Sequence, residues 1–172
     1  MQNSEQLNRI IALIVDCFKG GNKVLTFGVG GNAANAIHFA AELAGKFEEC
    51  ETPLPCVDLC SNPSTISAIA TDFGWEHVFE RQIRALAKPR DVVVAFSISA
   101  KGEYLLNALV QVWRSRCTTV LICGKCTLDL DNFDFGTTAI VLELDSENTP
   151  QVQEEQLRII HQICGEVKRR VK

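Results

Sequence analysis

A three-layer α/β/α sandwich around a doubly wound, five-stranded parallel sheet, preceded by an N-terminal helix, is the fold this sequence predicts. Three observations point to it. Short apolar runs alternate with segments of helical period along the whole chain, and most of those runs are apolar on both faces, as buried parallel strands are. The first run, Val24 to Phe27, breaks into Gly28, Gly30 and Gly31 and then into an alanine-rich helix. The clearest run, DVVVAF from Asp91, passes straight into Ser97-Ile98-Ser99-Ala100-Lys101-Gly102. Both turns should lie at the carboxyl edge of the sheet, where such folds bind ligands near the switch in strand order.

Taken in order, Ser4 to Phe18 carries Leu7, Ile10, Ile11, Ile14, Val15 and Phe18 at helical spacing, and Gly20-Gly21-Asn22 stops it. A strand at Lys23 to Phe27 precedes a helix from about Asn32, read as its N-cap, to Phe47. A polar loop with Pro53 and Pro55 leads to a second strand, Cys56 to Leu59. Asn62 caps and Pro63 opens a short helix to Ala70, which Thr71-Asp72-Phe73-Gly74 should break. Trp75 to Leu86 resumes as helix with Val78, Phe79, Ile83 and Leu86 on one face. The strand Asp91 to Phe96, a helix over Glu103 to Trp113, and strands at Thr118 to Cys123 and Thr138 to Leu144 follow. An amphipathic helix after Pro150 carries Val152, Leu157, Ile160, Ile163, Cys164 and Val167. No repeat or linker divides the chain, so residues 1–172 read as one domain.

Composition narrows the class. The chain has 172 residues, 47% hydrophobic, which suffices for a proper core. Its net charge of −4 argues against a general nucleic-acid binder. The basic cluster Lys168, Arg169, Arg170 and Lys172 reads as favourable charge at a helix C-terminus. No apolar run approaches the ~20 residues of a membrane span, and the polar N-terminus is no signal peptide, so a cytoplasmic protein with no membrane partner is expected. Of eight cysteines, Cys17, Cys117, Cys123 and Cys164 sit in apolar runs, and Cys123 with Cys126 makes a lone CxxC without a second pair. Thiols rather than disulfides or a zinc finger are expected.

Strand, glycine turn and helix N-terminus form a cradle for an anion, because glycines admit close backbone approach and the helix dipole favours negative charge. Ser97 and Ser99 add hydroxyls at a second such turn. The cradle is not the dinucleotide fingerprint, since Ala33 stands at the third glycine's place, and nothing resembles a P-loop. His38 and Glu42, four residues apart, share one helix face; Gln153 and His161, eight apart, share another. These four have the types to ligate a divalent metal and, through Glu42 and His161, to move protons. His77, beside Glu76 and Glu80, reads as structural.

Four stretches in order, HFAAELAGKF (His38 to Phe47), ATDFGWEHVFERQIRAL (Ala70 to Leu86), DVVVAFSIS (Asp91 to Ser99) and TPQVQEEQLRIIH (Thr149 to His161), resemble the sugar isomerase (SIS) domain proteins. Within them the resemblance is to the phosphoheptose isomerases, which convert sedoheptulose 7-phosphate to a heptopyranose 7-phosphate. The resemblance implies that Glu42 and His161 pass protons through an enediol, and that His38, Glu42, Gln153 and His161 hold one zinc ion per subunit. It implies that the Ser97 to Gly102 loop, including Ser97, Ile98, Ser99 and Gly102, holds phosphate beside the first loop, Val29, Gly30, Gly31 and Asn32. Thr71, Asp72, Glu42 and Gln153 would touch the sugar. Homotetramers with shared active sites are implied too, with the N-terminal helix (residues 4–19) in the assembly core. The first loop departs from the family's GNGGS at Val29 and Asn32, and the second from STSGNS at Ile98, Ala100, Lys101 and Gly102, with hydroxyls lost at Ile98 and Gly102 and Lys101 as a compensating cation. Lys46 replaces an arginine, and Gln156 stands where histidine is frequent. Each lost hydroxyl would weaken a phosphate by about 1.5 to 3 kcal/mol if nothing compensates. Two other readings stay open: a non-catalytic SIS-fold binder of the replication-initiator-associating type, and an isomerase or sensor for a different sugar phosphate.

Overall fold

The computed structural model describes residues 2–125 and 139–171. Its helices are α1 (Gln2–Lys19), α2 (Gly31–Ala44), α3 (Pro63–Phe73), α4 (Val78–Leu86), α5 (Glu103–Arg114) and α6 (Thr149–Val171), with a 3₁₀ turn at Trp75–His77. The strands are β1 (Val24–Phe27), β2 (Cys56–Asp58), β3 (Val92–Ser97), β4 (Thr118–Cys123) and β5 (Ala139–Glu143). All pair in parallel in the order β2-β1-β3-β4-β5, so the expected five-stranded doubly wound sheet is present. Strand order reverses between β1 and β3, where Val24 pairs with Val92 and Phe27 with Ala95.

The pleat of β3 sorts the core into two layers. Val92, Val94 and Phe96 face α1, α2 and α6, joining Ile10, Ile14, Phe39, Leu43 and Ile160. Val93 and Ala95 face the opposite side with Phe79, Ile83, Leu105 and Leu109 from α4 and α5. Every β3 residue is buried, which accounts for its apolar run from Val92 to Phe96. Much of the apolar stripe of α1 is likewise covered within its own subunit: Ile10 and Ile14 have no exposed surface, whereas Leu7 is half-buried.

Several expected boundaries shift. α2 starts at Gly31, with Gly30 (φ 61°) as its cap and Asn32 inside the first turn. It ends at Ala44, because Gly45 turns extended and Phe47 pairs back with Cys50. Thr71, Asp72 and Phe73 continue α3, and Gly74 (φ 99°) alone breaks it. Thr71 and Asp72 are poor helix formers, but the cost is modest, at most about 0.7 kcal/mol each, and does not by itself end a helix. α6 includes Thr149 and Pro150, since proline fits a first helical turn. Lys168, expected as favourable charge at a helix C-terminus, does lie in the last turn of α6 but is 2% exposed; its ammonium donates to the Gly45 and Thr52 carbonyls and pins the loop after α2 onto α6. Cys126, Thr138 and Lys172 lie outside the described residues.

Candidate active site

α2 and α6 lie side by side on one face of the sheet, and their facing turns bring three expected residues together. His38 Nε2 is 3.1 Å from His161 Nε2 and 3.2 Å from Glu42 Oε1. One potential donor atom from each of the three residues lies within 4.8 Å of the others. Two imidazole nitrogens and a carboxylate oxygen so placed suit a divalent transition metal, with zinc among the ions that accept this donor set. The cluster opens to solvent, since His161 is exposed and His38 and Glu42 are half-buried. His161 also lines a cavity of about 950 Å³ bounded by Leu7 of α1, Phe47, Glu49 and Arg169.

Gln153 sits two turns earlier on α6, where its amide rests on Gly31. A Cβ at Gly31 would come within 2.4 Å of Nε2 and 2.5 Å of Oε1, so only glycine leaves that amide its place. Gln153 thereby joins the first turn of α2 to the helix that carries His161. Val29 is half-buried against the α4–α5 side of the core, while Gly30 and Gly31 are exposed. Asn32 is 5% exposed and its Oδ1 is buried without a hydrogen-bond donor.

At the neighbouring turn the Ser97 hydroxyl faces inward, 2% exposed, and accepts from the Ala100 N–H at 3.0 Å. It also hydrogen-bonds the Tyr104 side chain; burial pushes the Tyr104 phenol up, with the Ser97 bond working against that rise. Ile98 is half-buried against the α1–α2–α6 side, and Ser99 is the half-buried hydroxyl of the loop. Gly102 (φ 118°) caps α5, and a Cβ there would meet the Tyr104 ring at 2.7 Å. A serine at 102 is thus excluded by backbone and ring together. Thr71 and Asp72 are exposed on α3, which flanks the opposite layer, and within one subunit they are not part of the His–Glu–His cluster.

Residues 1–124 match the SIS-domain family. The chain is 38% identical to a probable phosphoheptose isomerase of Thermoplasma acidophilum, over 95% of this chain and 87% of that protein. It is 37% identical to the phosphoheptose isomerase of Citrifermentans bemidjiense, over 96% and 84%. The chain belongs to the SIS-domain family, among its phosphoheptose isomerases. Solved structures agree. A phosphoheptose isomerase from Francisella tularensis superposes with a TM-score of 0.88 at 25% identity, covering 96% of this chain and 85% of that one. One from Neisseria gonorrhoeae gives 0.86 at 29% identity, covering 95% and 85%.

Sequence reading of this SIS domain missed two features that shape the site. Gly124, at the end of β4, lets the Ile98 and Ser146 carbonyls approach, each within 2.6 Å of where its Cβ would be. Gln156, noted only as a departure from family usage, is fully buried and bonded to Asn35 of α2 at 3.0 Å. The signal for it was present: a polar residue in the buried stripe of α6, between Val152 and Ile160.

Nearby thiols do not compete as nucleophiles. Burial, then the charge of Glu42, pushes the Cys164 thiol far up, and burial pushes Cys60, whose thiol donates to the Gly28 carbonyl, up to about 11. Both stay protonated and weakly reactive.

Proposed function

We propose that this chain isomerises sedoheptulose 7-phosphate to a heptopyranose 7-phosphate, an aldose–ketose conversion through an enediol. The observation that carries the reading is the His38–Glu42–His161 cluster, assembled from two helices whose histidines are 123 residues apart in sequence. The names of the relatives and solved structures supply the substrate. Glu42 takes the carbon-bound proton and delivers it to the adjacent carbon, while His161 serves the sugar oxygens; a carboxylate and an imidazole on separate helices suit that division of labour. His38, Glu42, His161 and Gln153 would hold one zinc ion per subunit, whose charge would stabilise negative charge developing on oxygen.

The Ser97–Gly102 loop and the Val29–Asn32 turn hold the phosphate, with Thr71 and Asp72 on the sugar. Their adjacency across the β1–β3 switch supports this placement. A homotetramer with shared active sites fits α3, which has no buried residue in the isolated subunit and exposes Phe73. Residence in the cytoplasm fits the thiol state of Cys17, Cys56, Cys60, Cys117 and Cys164. A second reading, the same chemistry on a different sugar phosphate, is favoured by Val29, Asn32, Ile98 and Gly102, which reshape both phosphate turns.

The test is conversion of sedoheptulose 7-phosphate by the zinc-loaded protein, followed by proton NMR of the aldose. Glu42→Gln should lower kcat by about 10² to 10⁴ while the far-UV spectrum stays unchanged. Absence of wild-type turnover on this substrate would abandon the first reading, and turnover of another ketose phosphate would install the second.

A further inference from the structure

Beneath the His–Glu–His cluster runs a chain of amides that takes no part in proton transfer. Gln156 is completely buried. Its Nε2 donates to the Ser97 carbonyl at 2.8 Å and to the Ile122 carbonyl at 3.2 Å, at the ends of β3 and β4. Its Oε1 accepts from Asn35 Nδ2 at 3.0 Å, and the same Asn35 nitrogen donates to the Gln153 carbonyl at 3.1 Å.

The polarity of this chain is fully determined. Two strand-end carbonyls require donors, so the NH₂ of Gln156 must face the sheet and its oxygen must face α2. That oxygen only accepts, so Asn35 must present its own NH₂. A neutral histidine at 156, the residue frequent in the family, has one donor and one acceptor and would leave one carbonyl without its partner.

We propose that Asn35 and Gln156 are a positioning pair for the site, setting the register of α2 against α6 and anchoring both to the root of the serine loop. Asn35 precedes His38 by three residues, one turn away. Gln156 lies three residues after Gln153 and five before His161. The pair therefore grips α6 between its two ligand residues, Gln153 and His161, and α2 one turn before His38. A helix sliding by even 1 Å would change the 3.1 Å approach of His38 to His161. Neither amide ionises, so this link between the helices contains no group that titrates. Metal positioning does not depend on which sugar is the substrate; only the turnover arm of the test rests on the isomerase reading.

The test uses the full chain as wild type, Asn35→Ala, Gln156→Leu and the double variant. Zinc affinity is measured by chelator competition, the ligand field by visible spectra of the cobalt(II) form, and kcat and KM on sedoheptulose 7-phosphate. Each single variant should bind zinc about 10- to 100-fold more weakly, the range for residues that orient ligands. The cobalt bands should shift, kcat should fall more than KM rises, and the double variant should be no worse than the poorer single one.

Gln82→Leu is the comparison. Gln82 is a buried amide that also donates to two carbonyls, those of Leu59 and Val78, but from α4 on the other layer. It should lose stability and keep its zinc affinity. Wild-type zinc affinity and cobalt spectra in folded Asn35→Ala and Gln156→Leu would overturn the proposal, as would an equal zinc loss in Gln82→Leu. Should Gln156→Leu not fold, Asn35→Ala decides alone, because its site is half-exposed. A wild type that binds zinc without turnover removes the isomerase reading and leaves the affinities to judge the pair. A wild type that binds no zinc overturns the pair's role outright.

Discussion

Asp91 is 1% exposed, and its carboxylate accepts from four donors: the Lys23 ammonium, the Lys23 and Lys88 backbone N–H groups and the Asn22 amide. It ties the turn before β1 to the turn before β3. Burial by itself would raise its pKa; the Lys23 ammonium and the two backbone N–H bonds outweigh that and hold the carboxyl below the usual range. A depressed folded pKa contributes stability that is complete above about pH 4 and is lost as pH falls through the folded value. Asp91→Asn should cost about 3 kcal/mol at pH 7, because the ammonium and an N–H lose their acceptor. The same variant should flatten the fall in stability below pH 4. Urea midpoints at several pH values measure both, and an unchanged acid limb would contradict the assignment.

At the level of the element, α2 does the most. Its entry needs Gly30 at φ 61°, its second residue Asn32 is buried, and its small residues Ala36 and Ala40 let the core close under it. Gly31 has an ordinary helical role but no room above it, since Gln153 occupies the space a Cβ would take. Gly31→Ala should therefore leave the fold intact, and could add a few tenths of a kcal/mol through helix propensity. It should displace the Gln153 amide and weaken zinc binding about tenfold. Differential scanning calorimetry beside chelator competition separates the two effects; a stable variant with undiminished zinc affinity would remove Gln153 from the ligand set. The contrast with Gly28 is instructive. There a Cβ would meet the Asn32 backbone at 2.5 Å, so alanine would disturb the turn itself.

For the whole molecule, the two helical layers differ in how well they are finished. The layer of α1, α2 and α6 buries most of its apolar residues, as α4 and α5 do on the other side, whereas α3 has no fully buried residue and, with the turn after it, leaves Phe73 48% and Trp75 45% exposed. Arg81 stacks over one face of the Phe73 ring, which leaves the other to solvent or a partner. Large apolar side chains gathered beside a candidate sugar-contacting pair, Thr71 and Asp72, fit a site completed by a second subunit. Sedimentation velocity should give a tetramer for the wild type and smaller species for Phe73→Asp. A wild-type monomer that turns over substrate would show the site to be complete within one chain.

Much of this was legible in the residues themselves. Alternating apolar runs and helical stripes set the strands, the layers and the parallel sheet, because period and burial on both faces are local properties of the chain. The pairs His38–Glu42 and Gln153–His161 were readable for the same reason, since helical spacing places each on one face. What spacing within a helix cannot convey is the distance between helices. Only tertiary packing decided that His38, Glu42 and His161 converge while Gln153 rests over Gly31, and that Asn35 and Gln156 close the gap between α2 and α6. It also made Lys168, legible only as charge at a helix C-terminus, a buried tether, because the carbonyls it meets belong to a loop more than a hundred residues away.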